Sequence, residues 1–289
     1  VIGLGKNRMI ALIGKVFAVV FVVLVIAGVC LWMLGARQPS QAISGYEKVI
    51  FLALKYGQPA HIRTAGSATD AALWSGRVAF PFIGPEDPYW TEYVILPPDS
   101  GVLSELVSST QFEDLFAAEV KLVKVPALVL GVLRAQHKLG LSRRPDGPIP
   151  QSVDEAEGRL DILPSVRALD ASRAAPPDMQ VTMMNYLKYK PAENGEKGEG
   201  RRTYNKYGFE AMRAVHMVGG QFLFAGRITN VLIEPKNEST PGDWDDLAAM
   251  IYPDPMAIFY MEQSPRYKNS LHFRDESLER TVVIATEAH

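Results

Sequence analysis

Seven residues in the second half of the chain have the types that chemistry needs: Asn185, Tyr186, Trp244, Asp245, Tyr267, His272 and Arg274. A tyrosine, histidine or carboxylate beside a sheet can pass a proton, and an amide or guanidinium can orient an oxyanion. Asn185 and Tyr186 fall in the apolar and aromatic run Gln180–Tyr189, which reads as a strand stopped by Pro191. Alternation puts Met183, Asn185, Leu187 and Tyr189 on one face and Met184, Tyr186 and Lys188 on the other. With helices on one face and a barrel interior on the other, Asn185 or Tyr186 could reach a pocket that the other five complete. The competing reading is packing: the aromatics fill a core with their polar tips at its edge, and Arg274 pairs with Glu276 or Glu279.

Other chemistries find no support. The histidines (His61, His137, His216, His272, His289) offer no pair at helical ligand spacing and no cysteine partner, so neither metal nor haem is expected. His216 lies beside the apolar stripe of its helix and reads as a packed or surface residue. Gly195, Gly198 and Gly200 stand among charges and lack the Gly-Lys-Ser/Thr ending of a phosphate loop. No Gly-x-Ser-x-Gly nucleophile motif occurs, and no cofactor is expected.

The elements that must position these residues begin with an apolar rod. Val16–Leu34 is 19 residues without a charge. At ~1.5 Å per residue such a helix spans ~28 Å, close to the ~30 Å hydrocarbon core of a bilayer. It is too long for the apolar region of a cleaved signal, so a retained anchor in residues 1–42, helical over about 10–35, is expected. Trp32 suits the outer interface. Lys6, Arg8 and Lys15 precede the span and Arg37 follows it, which predicts a cytoplasmic N-terminus and a periplasmic bulk at a bacterial inner membrane. No acidic residue occurs through Arg37, leaving 26 basic against 32 acidic residues beyond it, a net of −6 that offers no footprint for nucleic acid. The lone cysteine, Cys30, lies within the rod, so no intrachain disulfide can form.

Beyond the rod the chain repeats itself. Leu54-Lys55-Tyr56 recurs as Leu187-Lys188-Tyr189, Gly76-Arg77-Val78 as Gly226-Arg227-Ile228, and Trp90 as Trp244. Pro98-Asp99 answers to Pro253-Asp254, and Ser109–Phe112 to Ser264–Tyr267. Order is kept throughout, while the separation steps from 133 to 150 and then 155 residues. Because repetition preserves packing more readily than a single active site, Trp90 and Trp244 read as structural.

The second copy, 180–289, reads β-α-β-β-α-β, the ferredoxin-like order. After the first strand comes a glycine-rich loop, then a helix carrying Tyr204, Tyr207, Ala211, Met212, Val215 and Val218 that stops at Gly219-Gly220. Strands follow at Phe222–Glu234 and Trp244–Tyr252. Asp254-Pro255 caps a helix to Gln263, Ser264-Pro265 breaks and restarts it, and Thr281–Thr286 ends the unit. The first copy, 43–137, predicts strands near Lys48–Tyr56, Arg77–Ile83 and Trp90–Leu96, a helix near Ser100–Ala118 and a strand near Ala127–Leu133. Its 17-residue deficit falls where the second copy has its first helix, so that element is expected to be shrunken or lost. Residues 138–179 read as a proline-rich linker with one short helix after Pro164.

The second copy resembles a family of short uncharacterised bacterial domains in the dimeric α+β barrel superfamily. The resemblance rests on Met184–Tyr189, the Tyr204…Tyr207 pair, Gly220…Gly226-Arg227, Trp244-Asp245-Asp246, Tyr252-Pro253, Ser264–Tyr267 and Arg274, over roughly 110 residues. That superfamily includes EthD-like proteins, muconolactone isomerases, antibiotic-biosynthesis monooxygenases and haem-dependent chlorite dismutases. The resemblance implies an α+β chain in which two ferredoxin-like units form a pseudo-dimeric barrel behind a transmembrane helix. The first unit is degenerate, with Thr110 where Pro265 stands.

The expected role is a non-catalytic accessory subunit of a larger respiratory, photosynthetic or transport complex, with the lipid bilayer and other membrane subunits as partners. The alternative is a membrane-tethered small-molecule binder, or a cofactor-independent isomerase or monooxygenase. That alternative rests on fold analogy.

Overall fold

The computed structural model describes residues 3–57, 71–85, 87–108, 112–145, 164–191, 198–236, 243–261 and 263–288. It opens with α1 (Gly3–Ala36), 34 residues long, followed by the short α2 (Ser40–Ser44). Among the described residues α1 is the one helix long and apolar enough to cross a membrane, with mean hydropathy 2.8 over Val19–Ala36. Its Phe17 and Val19–Ile26 side chains are exposed. The rest is mixed α+β, built on one closed eight-stranded barrel.

The strands are β1 (Lys48–Tyr56), β2 (Trp74–Ile83), β3 (Glu92–Leu96), β4 (Phe112–Leu122), β5 (Val181–Tyr189), β6 (Gln221–Ile233), β7 (Asp246–Tyr252) and β8 (Leu278–Ala288). Their order round the barrel is β1-β3-β2-β8-β5-β7-β6-β4. Each half therefore runs fourth-first-third-second: β4-β1-β3-β2, then β8-β5-β7-β6. The halves meet at two antiparallel seams, β2–β8 and β4–β6, and both carry register shifts. Such bulges bend strands and increase twist, which closure demands.

The barrel is filled. Phe51, Tyr93, Phe116, Tyr186, Phe224 and Trp244 meet inside it with aliphatics from both halves. Phe51 packs 5.6 Å from Tyr93, 6.4 Å from Phe116 and 5.9 Å from Tyr186, ring centre to ring centre. Trp90 and Trp244 are buried in this same core, as their repetition suggested. Outside the first half, α3 (Val102–Ser108) covers the sheet through Leu106, against Leu52, Leu54 and Leu115. Strand β1 thus buries both faces, which explains its unbroken apolar run.

Two first-half expectations are corrected. The segment expected to be a helix to Ala118 is helical only over Val102–Ser108, and β4 occupies Phe112–Leu122. Phe116, Ala118 and Val120 point into the barrel while Leu115 and Ala117 point out, so burial on both faces hides the two-residue period. The segment expected to be a strand near Ala127–Leu133 is the helix α4 (Ala127–Lys138). Pro126 precedes its first turn, and Leu130 and Leu133 share the face turned to Met212 and Phe222. The expected loss of a helix between β1 and β2 concerns 58–70, outside the described residues, as does Thr110.

Helix α4 runs antiparallel to the end of α1, backbone against backbone. A Cβ on Gly35 would lie 1.7 Å from the Ala127 carbonyl oxygen, and one on Gly131 equally close to that of Leu31. Ala127, Gly131 and Ala135 repeat every four residues, the small-residue spacing that lets two helices touch. Gln38, just past α1, donates from Nε2 to the Leu130 carbonyl at 3.0 Å.

The second half follows expectation more closely. Helix α5 (Val166–Ala174) is the short helix after Pro164, capped by Ser165. Helix α6 (Glu199–Met217) packs over the sheet and ends at Gly219, whose φ of +86° suits glycine. Asp254 caps α7 (Ala257–Met261) by accepting from the Met256 amide at 3.0 Å. Pro265 begins α8 (Pro265–Lys268), and α9 (Leu271–Ser277) leads into β8. The third strand begins two residues later than expected and the last is longer, Leu278–Ala288.

Candidate functional site

A cavity of about 500 Å³ lies outside the barrel, between α6 and the outer faces of β5, β6 and β7. Its floor comes from alternate residues, Met183, Asn185, Leu187 and Tyr189 on β5 and Ala248 and Met250 on β7. Tyr204, Tyr207, Ala211, Met212 and Val215 on α6 make the roof at helical spacing.

Polar groups gather at one end. Arg201 grips Asp246 with two bonds, Nε to Oδ2 at 2.9 Å and Nη2 to Oδ1 at 2.7 Å, the paired geometry that suits guanidinium and carboxylate. Tyr189 Oη donates to Asp246 Oδ2 at 2.9 Å, and the Tyr189 amide donates to Asp245 Oδ2 at 2.8 Å. The first turn of α6 makes this possible. Gly198, with φ +91°, turns the chain into the helix, and a Cβ on Gly200 would meet the Lys190 carbonyl at 2.8 Å and Tyr189 Cβ at 3.0 Å. Gly198 serves the turn and Gly200 the close approach, and Arg201 comes down on Asp246 as a result.

From that end a ladder of tyrosines runs along the cavity. Tyr204 lies between Tyr189 and Tyr207, at ring-centre distances of 5.5 and 5.3 Å. Tyr207 Oη and Tyr267 Oη share a hydrogen bond of 2.9 Å, and the Arg274 guanidinium stands 5.7 Å from the centre of the Tyr207 ring. Burial, then the Asp246 charge, pushes the Tyr189 phenol above its ordinary range, and burial does the same for Tyr204. Both stay protonated at neutral pH, as donors rather than bases. Burial works against the Arg201 charge, but the bonds and charge of Asp246 overcome it and hold Arg201 more firmly protonated.

The sequence candidates divide. Asn185, Tyr267 and Arg274 line the cavity. Asn185 Nδ2 donates to the Met183 carbonyl at 2.9 Å and the Ala248 carbonyl at 3.2 Å. Tyr186 faces the filled barrel beside Trp244, at 5.4 Å, so neither reaches the cavity. Asp245 holds the β5 backbone, and His272 is exposed on α9 with Nδ1 2.7 Å from the Asn269 carbonyl. His216 is buried, with Nδ1 2.8 Å from the Met212 carbonyl and Nε2 3.3 Å from Gln38 Oε1. Among the described residues no group of three or more His, Cys, Asp or Glu could hold a metal ion.

Sequence reasoning missed Tyr189, Arg201 and Asp246. The signal lay in the repeat: Tyr56 Oη donates to Glu92 Oε2 at 2.6 Å, as Tyr189 does to Asp246, and each acid follows its repeated tryptophan by two positions.

No family model matches the chain, and no curated protein matches it. Among solved structures, a protein of unknown function from Rhodopseudomonas palustris aligns at 22% identity and a TM-score of 0.36, covering 44% of this chain and 95% of its own. A provisionally named monooxygenase from Lactobacillus acidophilus NCFM aligns at 7% identity and a TM-score of 0.42, covering 84% and 94%. Another from Fusobacterium nucleatum gives 8%, 0.41, 83% and 91%. Likeness this loose says nothing of activity.

Proposed function

We propose that the protein is a membrane-tethered binder of a small, largely apolar molecule with one polar end, held between α6 and the sheet of the second half. The cavity carries this reading: its volume falls in the range of ligand sites, and polar groups converge at one end of an apolar chamber. Isomerase or monooxygenase chemistry has less support, because the tyrosines are held protonated and Asp246 is already engaged by Arg201 and Tyr189. The equal strand order of the two halves supports a pseudo-dimeric barrel of two ferredoxin-like units. The apolar length of α1 and its flanking charges support an anchor with its N-terminus in the cytoplasm and its bulk in the periplasm.

The test uses the full-length protein in lipid nanodiscs with 1-naphthol as probe, followed by saturation-transfer NMR. Transfer to the probe is expected in the parent and lost in Ala248→Phe, which fills the floor. Equal transfer in both folded proteins would remove the cavity as the binding site.

A second reading, a non-catalytic accessory subunit of a membrane complex, is favoured by the filled barrel and by exposed aliphatic residues on α4 beside the anchor. Mild detergent extraction followed by mass spectrometry should then find stoichiometric membrane partners. A lone species would count against it.

A further inference from the structure

We propose that α4 is a second membrane contact, its exposed face reaching past the headgroup–acyl boundary of an anionic bilayer alongside the outer part of α1. The inference rests on reading α1 as an anchor and adds a surface which that reading does not require.

Helix α4 has three different faces. Leu130 and Leu133 turn inward to Met212 and Phe222. Ala127 and Gly131 meet α1. The third face is uncovered and aliphatic: Leu128 is 47% exposed, and Val129 and Val132 are exposed beside it. Leu128 and Val132 are one turn apart, and Leu139, 72% exposed just past the helix, continues their stripe. Val123 before the helix and Leu141 after it are exposed as well. On α1, in the stretch that α4 packs against, Val29, Trp32 and Met33 are exposed as well. Leaving so many aliphatics in water beside an apolar rod is costly, and a lipid surface would cover both at once.

Charge selects the kind of surface. Residues 120–145 hold six basic residues and no acidic one, in a chain that carries 32 acidic against 30 basic overall. Three of the six are already engaged elsewhere: Lys121 pairs with Glu47 at 3.4 Å, Arg134 donates to Gln221 Oε1 at 3.1 Å, and Arg144 pairs with Asp254 at 2.6 Å. Lys124, Lys138 and Arg143 are exposed around the aliphatic face, as is Arg37 at the end of α1. An apolar strip rimmed by lysine and arginine fits an interface of acyl chains and anionic phosphates. A second copy of this chain fits poorly, since the same face would bring like charges together. The strip also lacks the aromatic anchors common at the centre of protein interfaces.

The test places a single environment-sensitive fluorophore on the full-length chain in vesicles of phosphatidylethanolamine and phosphatidylglycerol. The native Cys30 reports on α1. A Cys30→Ser background carrying Val132→Cys reports on α4, and one carrying Ser104→Cys on α3 reports on a surface facing water. Quenching by lipids with a spin label high on the acyl chain should be strong at 30 and 132 and absent at 104. At 132 it should fall by about twofold or more in pure phosphatidylcholine. Quenching at 30 with none at 132 would overturn this inference and leave the anchor standing. Absence at both would overturn the anchor and the inference together. Equal quenching at 132 in both lipid mixtures would overturn the anionic preference.

Discussion

The two halves of the barrel carry the same tyrosine–carboxylate bond and put it to different ends. In the first, Tyr56 bonds to Glu92 and its amide donates to Thr91 Oγ1; in the second, Tyr189 bonds to Asp246 and its amide to Asp245. Both pairs pin the last residue of a first strand to the start of a third, so the bond belongs to the scaffold. The second half adds Arg201 from α6, and with it a chamber beneath that helix. Among the described residues of the first half, Leu106 of α3 lies on Leu52 and Leu54, and the sheet face is packed. One inherited bond has become the polar end of a cavity wherever a long helix spans the sheet.

The largest effect should come from a change that ignores the division. Phe51 is fully buried among rings of both halves, and Phe51→Ala should cost about 4 kcal/mol, lowering one cooperative urea transition. Two separate transitions would show that the halves do not share a core. Next, Asp246→Ala strands the Arg201 guanidinium and the Tyr189 hydroxyl. With both ionic partners mostly shielded, a loss of about 3 kcal/mol is expected by chemical denaturation. A smaller comparison sharpens the contrast: Tyr56→Phe should cost about 2 kcal/mol and Tyr189→Phe about 1, because Asp246 keeps Arg201 while the deeply buried Glu92 loses its tyrosine donor. Equal losses would mean that Arg201 does not shield the second site.

The smallest effect is one of pH. Burial holds His216 below its usual range; the Met212 carbonyl opposes this, and Arg134 and His137 of α4 reinforce it, with Gln38 facing the other ring nitrogen. The unfolded chain therefore takes up the proton first. Stability from this group is complete above about pH 6.5 and declines as pH falls through that value. A melting series should show a loss of about 1 kcal/mol or less toward pH 5. A His216→Asn variant, with no imidazole to protonate, should show a flatter profile.

Legibility in the sequence followed the number of faces each element buries. Helix α6 buries one face and leaves charges on the other, so its tyrosines and aliphatics were readable at helical spacing. Strand β4 and helix α4 are enclosed or apolar on several faces, and their short hydrophobic runs carried no usable period. The repeat was readable because tryptophan, glycine and proline are rare enough to align. The pairing of Arg201 with Asp246 was not, because 45 residues separate them and only the close approach at Gly200 brings them together.

The junction at Gly35 and Gln38 has one more consequence. A globular body joined to an apolar rod would ordinarily swivel, turning its cavity to every direction in turn. Here the rod is clasped at Leu31 and Gly35, one turn apart, and the Gln38 amide beyond it is latched to Leu130, so rod and body turn as one piece. The cavity under α6 then keeps a constant compass bearing relative to the rod.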